Sequence, residues 1–264
     1  MNQFGRTIRL FLVEGNTNAL ITAELSNWTG KGFKIPRIKV KEYSQRDELK
    51  GAGLYLLFGK NEQNQDATYI GEGEPVVDRI LDHVAKKDFW NEVIVFVSKD
   101  KYLNKASIKY LENRIYQSVK IADRYDVINN NVPTQSGVSE AEQAELEEFL
   151  SNVKLLTATL GHRVFEELKE TIDNESNFPS QFFCKNSAGI SAAGSPSTEG
   201  FIVFRNSSFT NITHPSLTES IRNERAKMIN DQLLSQKGEF LLLNKDYTFN
   251  SSSRAAAMVL GAFS

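Results

Sequence analysis

The sequence predicts an α+β chain: a small sheet flanked by helices, then a second, smaller α+β domain. Three observations carry this. Short β-type runs at 53–59, 68–73 and about 93–97 interleave with amphipathic patterns at 74–87 and 105–122, in the order strand, strand, helix, strand, helix. A polar stretch, DNESNFPS (173–180), reads as a linker and holds Pro179. Past it, composition changes and β-type runs alternate with two more helical patterns.

From the N-terminus, RTIRLFLVEG (6–15) alternates as a strand and stops at Gly15. NALITAELSN (18–27) has helical spacing at Leu20, Ile21 and Leu25. The next stretch is basic, with seven Lys or Arg against three acidic residues from Lys31 to Lys50, and Gly30, Gly32 and Pro36 predict a partly irregular segment. It reads either as a solvated loop or as a strip that contacts phosphates. GLYLLFG (53–59) and TYIGEG (68–73) flank a polar loop and read as a hairpin. EPVVDRILDHVAKK (74–87) is a helix with Pro75 in its first turn. A third strand falls around 93–97, and KASIKYLENRIYQSVKIA (105–122) is a second helix.

The turn-rich NNNVPTQSG (129–137) precedes a long acidic helix, with Ser139 and Glu142 spaced as a capping box. Its buried face is predicted at Leu146, Phe149, Leu150, Val153 and Leu156. In the second domain, FFCK (182–185), FIVFR (201–205) and GEFLLLNKDYTF read as strands. SLTESIRNERAKMINDQLLSQ reads as a helix, and SSSRAAAMVLG as a final helix capped near Ser253.

The 264 residues carry 40% hydrophobic and 24% charged residues, an ordinary globular balance. No apolar run approaches the roughly 18 residues of a membrane span, and the N-terminus reads as no secretory signal. A single cysteine, Cys184, excludes an internal disulfide or a multi-cysteine zinc site. A cytoplasmic location without membrane attachment is the expectation. The net charge of −2 hides a division: residues 1–130 carry 20 basic against 17 acidic residues, whereas 131–176 carry 3 against 10. Overall neutrality therefore says little against an anionic partner for the first part.

Several residues could do chemistry. Glu112 lies on or beside the apolar stripe of Ile108, Leu111, Ile115 and Val119. A carboxylate there is costly unless it is paired, protonated or bound to a metal, and a salt bridge is the plain reading. Arg79 and His83 share a helix face, as would a surface pair beside Asp78 and Asp82. Tyr55 and Tyr69 could be half-buried strand tyrosines with wet hydroxyls.

Taken together, the order of these residues resembles the GIY-YIG endonuclease superfamily. Gly53-Leu54-Tyr55 stands for the first half of that name, with Leu54 in place of isoleucine, and Tyr69-Ile70-Gly71 for the second. Arg79 matches the family's arginine, His83 a histidine of some branches, and Glu112 the metal-binding glutamate. The family often has an asparagine after the glutamate helix, and Asn129, Asn130 and Asn131 all stand there, Asn130 and Asn131 being taken as candidates. The resemblance covers about 51–131. The NWTGK, DFW and PTQ stretches resemble a bacterial subgroup with a C-terminal domain of uncharacterised role. The closing VLGAFS resembles that domain's end region, and similar proteins continue a little past it.

The resemblance implies a GIY-YIG nuclease fold, a small three-stranded antiparallel/mixed sheet flanked by helices, inside a nuclease domain of 1–172. The domain of 178–264 would follow, with target recognition as a candidate role. It implies a metal-dependent endonuclease cutting phosphodiester bonds of DNA with Mg²⁺ or Mn²⁺ held by Glu112. Tyr55, Tyr69, Arg79, His83 and Glu112 would be catalytic; the charge of the basic strip, outside the resemblance, adds the expectation that Lys31, Lys34, Arg37, Lys39 and Lys41 hold the nucleic-acid backbone. The alternative is a non-cleaving nucleic-acid-binding or interaction module on the same fold.

Overall fold

A computed structural model describes residues 4–100, 102–166, 181–186, 189–197, 199–215 and 217–262. Its first three elements are all strands. β1 (Ile8–Leu12) ends in a turn where Gly15 takes φ 71°, a region glycine enters at no steric cost. β2 (Ile21–Leu25) is a strand where the sequence predicts a helix. The segment is too short to nucleate a helix, and Ile21 and Thr22 are β-branched. Pairing to β1 and to β3 (Gly30–Pro36) decides the matter.

The basic stretch is ordered rather than irregular. After β3 come a 3₁₀ turn at Arg37–Lys39, the four-residue α1 (Val40–Tyr43) and a second 3₁₀ turn at Asp47–Lys50. Val40, Tyr43 and Leu49 are buried and anchor it. The Tyr43 hydroxyl donates to the Glu14 carboxylate.

The hairpin follows as β4 (Gly53–Lys60) and β5 (Asp66–Gly73), longer than predicted and with a shorter loop. α2 (Val76–Lys86) starts directly after Pro75, which stands extended at the N-cap position without a capping bond rather than inside the first turn. β6 (Trp90–Ser98), α3 (Lys105–Ala122), the two-residue β7 (Asp126–Val127) and α4 (Glu140–Thr159) complete this part. Ser139 and Glu142 form the predicted capping box, and the five predicted α4 residues are buried.

The sheet has seven strands in the order β1-β2-β3-β6-β4-β5-β7, which corrects the three-stranded expectation. All neighbours are antiparallel except β5 and β7. The cause is β6. Val93 to Val97 are all buried, so both its faces and its outer edge need cover, and β3 supplies the edge. The expected strands β6, β4 and β5 survive as neighbours inside the larger sheet.

Two cores lie on opposite faces. Tyr55, Leu57, Val93, Val95 and Val97 meet Val76, Val77 and Ile80 of α2. Leu54, Leu56, Phe58, Ile70, Ile94 and Phe96 meet α3 and α4. This alternation along β4 is the period-2 geometry of a strand covered on both sides.

The chain divides into two units, Met1–Leu168 and Lys169–Ser264. The predicted linker, 173–180, lies outside the described residues. The second unit is α+β as well. Its strands are β8 (Phe182–Lys185), β9 (Ser191–Ser197), β10 (Gly200–Val203) and β11 (Ser208–Thr210), then, after α5 (Glu219–Asn230), β12 (Leu234–Lys237), β13 (Phe240–Leu243) and β14 (Tyr247–Phe249). They form sheets β14-β10-β9-β8 and β11-β13-β12. α6 (Ser252–Leu260) is capped by Ser251 and packs Ala255, Met258 and Val259 into the core with Phe209, Leu243 and Phe249.

Candidate active site

Two glycines of β5 shape the first unit's polar cluster. Tyr55 sits opposite Gly71 in the register of β4 and β5. A Cβ at Gly71 would lie 2.3 Å from Cζ and Oη of Tyr55. A Cβ at Gly73 would lie 2.7 Å from Cγ of Arg79. No side chain fits either place, so the alternating glycines of Gly71-Glu72-Gly73 clear the floor on which Tyr55 and Arg79 lie.

Tyr69 shares this face, one diagonal step from Tyr55, with the two rings 6.4 Å apart between centroids. His83 comes from α2 on the same side. Its Nε2 lies 2.7 Å from the Tyr55 hydroxyl, and its ring meets Tyr69 edge-on at 4.8 Å. Tyr55 is fully buried, Tyr69 half-buried and Arg79 exposed. The structure thus brings Tyr55, Tyr69 and His83 into contact, with Arg79 one helical turn before His83.

Burial pushes the Tyr55 phenol far up, and Tyr69, Glu112 and Glu72 push it further against the opposing charge of Arg79. Burial and then Glu112 raise Tyr69, again opposed by Arg79. His83 goes the other way: burial, then the cations Lys87 and Arg79, lower it to about 4. At neutral pH the pair is therefore a neutral phenol against a neutral imidazole. With the phenol donating, Nε2 accepts.

Glu112 stands on α3, the helix of the other face, yet its charge acts on both phenols. The salt bridge of the plain reading does not form: among the described residues no ion-pair partner meets its carboxylate. Burial first, then the neighbouring Glu72, raise it to about 7, opposed by Lys105, Arg79 and Lys109. Glu72 itself is held through both oxygens by Lys105, at 2.7 and 2.6 Å. Sequence reading missed Glu72, Lys105 and Lys87. The alternating glycines around Glu72 were the one local signal.

The basic strip is largely engaged inside the unit. Lys31 pairs with Glu24 and Glu48, and Lys39 with Glu14 and Glu42. Lys34 pairs with Glu92 at 3.0 Å and donates to the Leu160 carbonyl. Glu92 also meets Nε2 of His162 at 2.6 Å, and both bonds hold its carboxyl low against the effect of burial. Arg37 pairs with Asp88 and donates to the carbonyls of Val84 and Trp90. Lys41 is exposed.

Among the three asparagines, Asn129 is the one bound to the site's strand. Its Oδ1 accepts from the Ile70 N–H at 3.0 Å and its Nδ2 donates to the Ile70 carbonyl at 2.8 Å. Asn130 and Asn131 are exposed. Among the described residues no group of three or more His, Cys, Asp or Glu gathers as a metal cage, and no helix is long and apolar enough to cross a membrane.

A family described as a domain of unknown function (DUF4357) matches residues 182–264, within the second unit. No curated protein and no solved structure matches the chain.

Proposed function

We propose that the first unit is a metal-dependent endonuclease of the GIY-YIG kind, hydrolysing phosphodiester bonds of DNA. The observation that carries this is the convergence of Tyr55, Tyr69 and His83 over the clearing left by Gly71, with Arg79 and Glu112 within electrostatic range. A buried phenol hydrogen-bonded to a neutral imidazole, beside a free guanidinium and an unpaired carboxylate, has little purpose as packing.

The donor set suits one cation shared with substrate rather than a resident cage. Mg²⁺ is commonly held by one or two carboxylates together with phosphate oxygens and water. Glu112 fits such a role: burial and Glu72 disfavour its charged form, and a dication offsets both. When bound, the ion neutralises charge on the phosphoryl oxygens.

The chain's own residues supply the rest. Arg79 presents a permanently charged fork to the phosphate oxygens. Tyr55 orients the attacking water. Its phenol stays protonated and donates to Nε2 of His83. The water's proton therefore leaves by a concerted relay, onto the phenol oxygen as the phenol's own proton passes to Nε2, and the departing oxygen takes its proton from solvent water. Tyr69 positions the phosphate from the same face. The buried wall of α2 excludes water from behind the pair.

The test is incubation of the purified chain with plasmid, single-stranded DNA and RNA, with and without Mg²⁺ or Mn²⁺. Ion-dependent cleavage that Glu112→Gln abolishes is the expected result. Binding without cleavage under both ions would favour the non-cleaving module instead.

A further inference from the structure

We propose that Lys87 is a further phosphate-binding residue of this site, holding a backbone phosphate that flanks the one at Arg79. This rests on the nuclease reading above. Lys87 follows the last residue of α2, fixed there by its N–H bond to the His83 carbonyl at 3.0 Å. Its Nζ stands 4.4 Å from the centre of the Tyr69 ring.

What singles it out is the kind of partner it has. Lys86 is neutralised by Asp82 at 2.6 Å, and Arg37, which reaches the same end of α2, by Asp88 at 3.0 Å. Among the described residues no carboxylate meets Lys87. An aromatic face holds a cation in place without cancelling its charge, because the attraction is to the ring quadrupole. The ammonium is thus positioned and still free to meet an anion. The residue is part-exposed, so a strand passing Tyr69 can reach it. Its charge is already felt in the cluster, where after burial it is the largest influence lowering His83.

Position selects a flanking phosphate. Eight residues separate Arg79 from Lys87, about 12 Å along a helix at 1.5 Å per residue. Phosphates recur about every 3.4 Å along each strand of a duplex axis, so cations rooted that far apart on the backbone can each take a phosphate of the same strand. The ligand class is therefore the nucleic-acid backbone, read without regard to sequence.

The experiment compares wild type, Lys87→Met and Lys87→Arg. Binding to a fluorescent duplex of about 30 base pairs is followed in EDTA across 50–200 mM KCl, and plasmid cleavage in Mg²⁺, with melting as the folding control. Loss of one phosphate contact lowers the salt slope by about 0.9, so over this range wild type should lose about 3.5-fold more affinity than Lys87→Met. KM should rise more than kcat falls, and Lys87→Arg should restore the slope. Should Lys87→Met melt early, Lys87→Gln takes its place. A variant with wild-type slope and wild-type KM overturns the proposal and leaves Lys87 as packing on Tyr69. A wild-type chain that neither binds nor cuts brings down the nuclease reading itself, a failure visible before any variant is compared.

Discussion

The Tyr55 hydroxyl and Nε2 of His83 stand 2.7 Å apart on the buried α2 face of the sheet. Tyr55→Phe removes one partner of this bond and leaves the imidazole nitrogen unsatisfied. The expected cost is about 1–3 kcal/mol of stability, since a buried polar group loses its partner. Cleavage should fall roughly 10²-fold or more, the scale of one positioned proton-transfer group. Melting and plasmid cleavage measured side by side check both. A variant that cuts at the wild-type rate removes Tyr55 from the mechanism.

Gly71→Ala is expected to act on the site through shape alone. The new methyl would stand 2.3 Å from the Tyr55 ring and hydroxyl, so the ring must leave its place or the strands must part. Overpacking of this kind costs about 1–3 kcal/mol. The ring fluorescence and melting point should both shift, and cleavage should drop even though no charged group has changed. Gly137→Ala, where nothing lies within 4 Å of the added Cβ, serves as the silent control.

Glu112→Gln should separate stability from activity. The folded carboxyl titrates near 7 against an ordinary 4.5, because burial and Glu72 oppose its charge. Its contribution to stability is thus present below about pH 4.5 and lost as pH rises through about 7. The loss is on the order of 1–2 kcal/mol once solvent screening of a part-exposed group is allowed for. His83 runs oppositely: lowered from 6.5 to about 4, its contribution is present above 6.5 and lost as pH falls through about 4. The wild-type-minus-Glu112→Gln difference in melting isolates the carboxyl. Ion-free wild type should lose ground to the variant between about pH 5 and pH 8, and Mg²⁺ should restore wild type only. Cleavage by the variant should fall by orders of magnitude.

Two lysines of the basic strip should respond differently. Lys41→Glu reverses an exposed charge and is expected to weaken DNA binding and flatten its salt dependence, with melting unchanged. Lys34→Met breaks the ion pair to Glu92 and the bond to the Leu160 carbonyl. It should lower stability by about 1–2 kcal/mol with little effect on the salt slope. Equal salt slopes for Lys41→Glu and wild type would take this face out of contact with DNA.

The hairpin, α2, α3 and the capped α4 were legible because each has a clear period and a clear stop. Lys105–Ala122 coincides with its predicted bounds. β2 was not legible, since Leu20, Ile21 and Leu25 suit a helix as well as a strand. Only its neighbours decide between them, and those lie elsewhere in the sequence. The same non-local pairing turned an expected three-stranded sheet into seven strands. At the site, residue types and order were legible from resemblance, but contacts were not. Whether Glu112 is paired depends on which cations fold near it. Three adjacent asparagines gave no reason to single out Asn129, whose distinction is a bond to a strand 59 residues away.

That asparagine has a consequence for how the chain survives in a crowded solution. Beyond β7, which pairs with β5 only at Ala67 and Thr68, the outer margin of the hairpin would offer Ile70's N–H and carbonyl to any extended peptide that drifted past. Asn129 answers both groups with one side-chain amide, imitating a further strand in a single residue. The margin beside the tyrosines is thereby closed to self-templated stacking, without a lysine or proline standing guard in the path of a substrate.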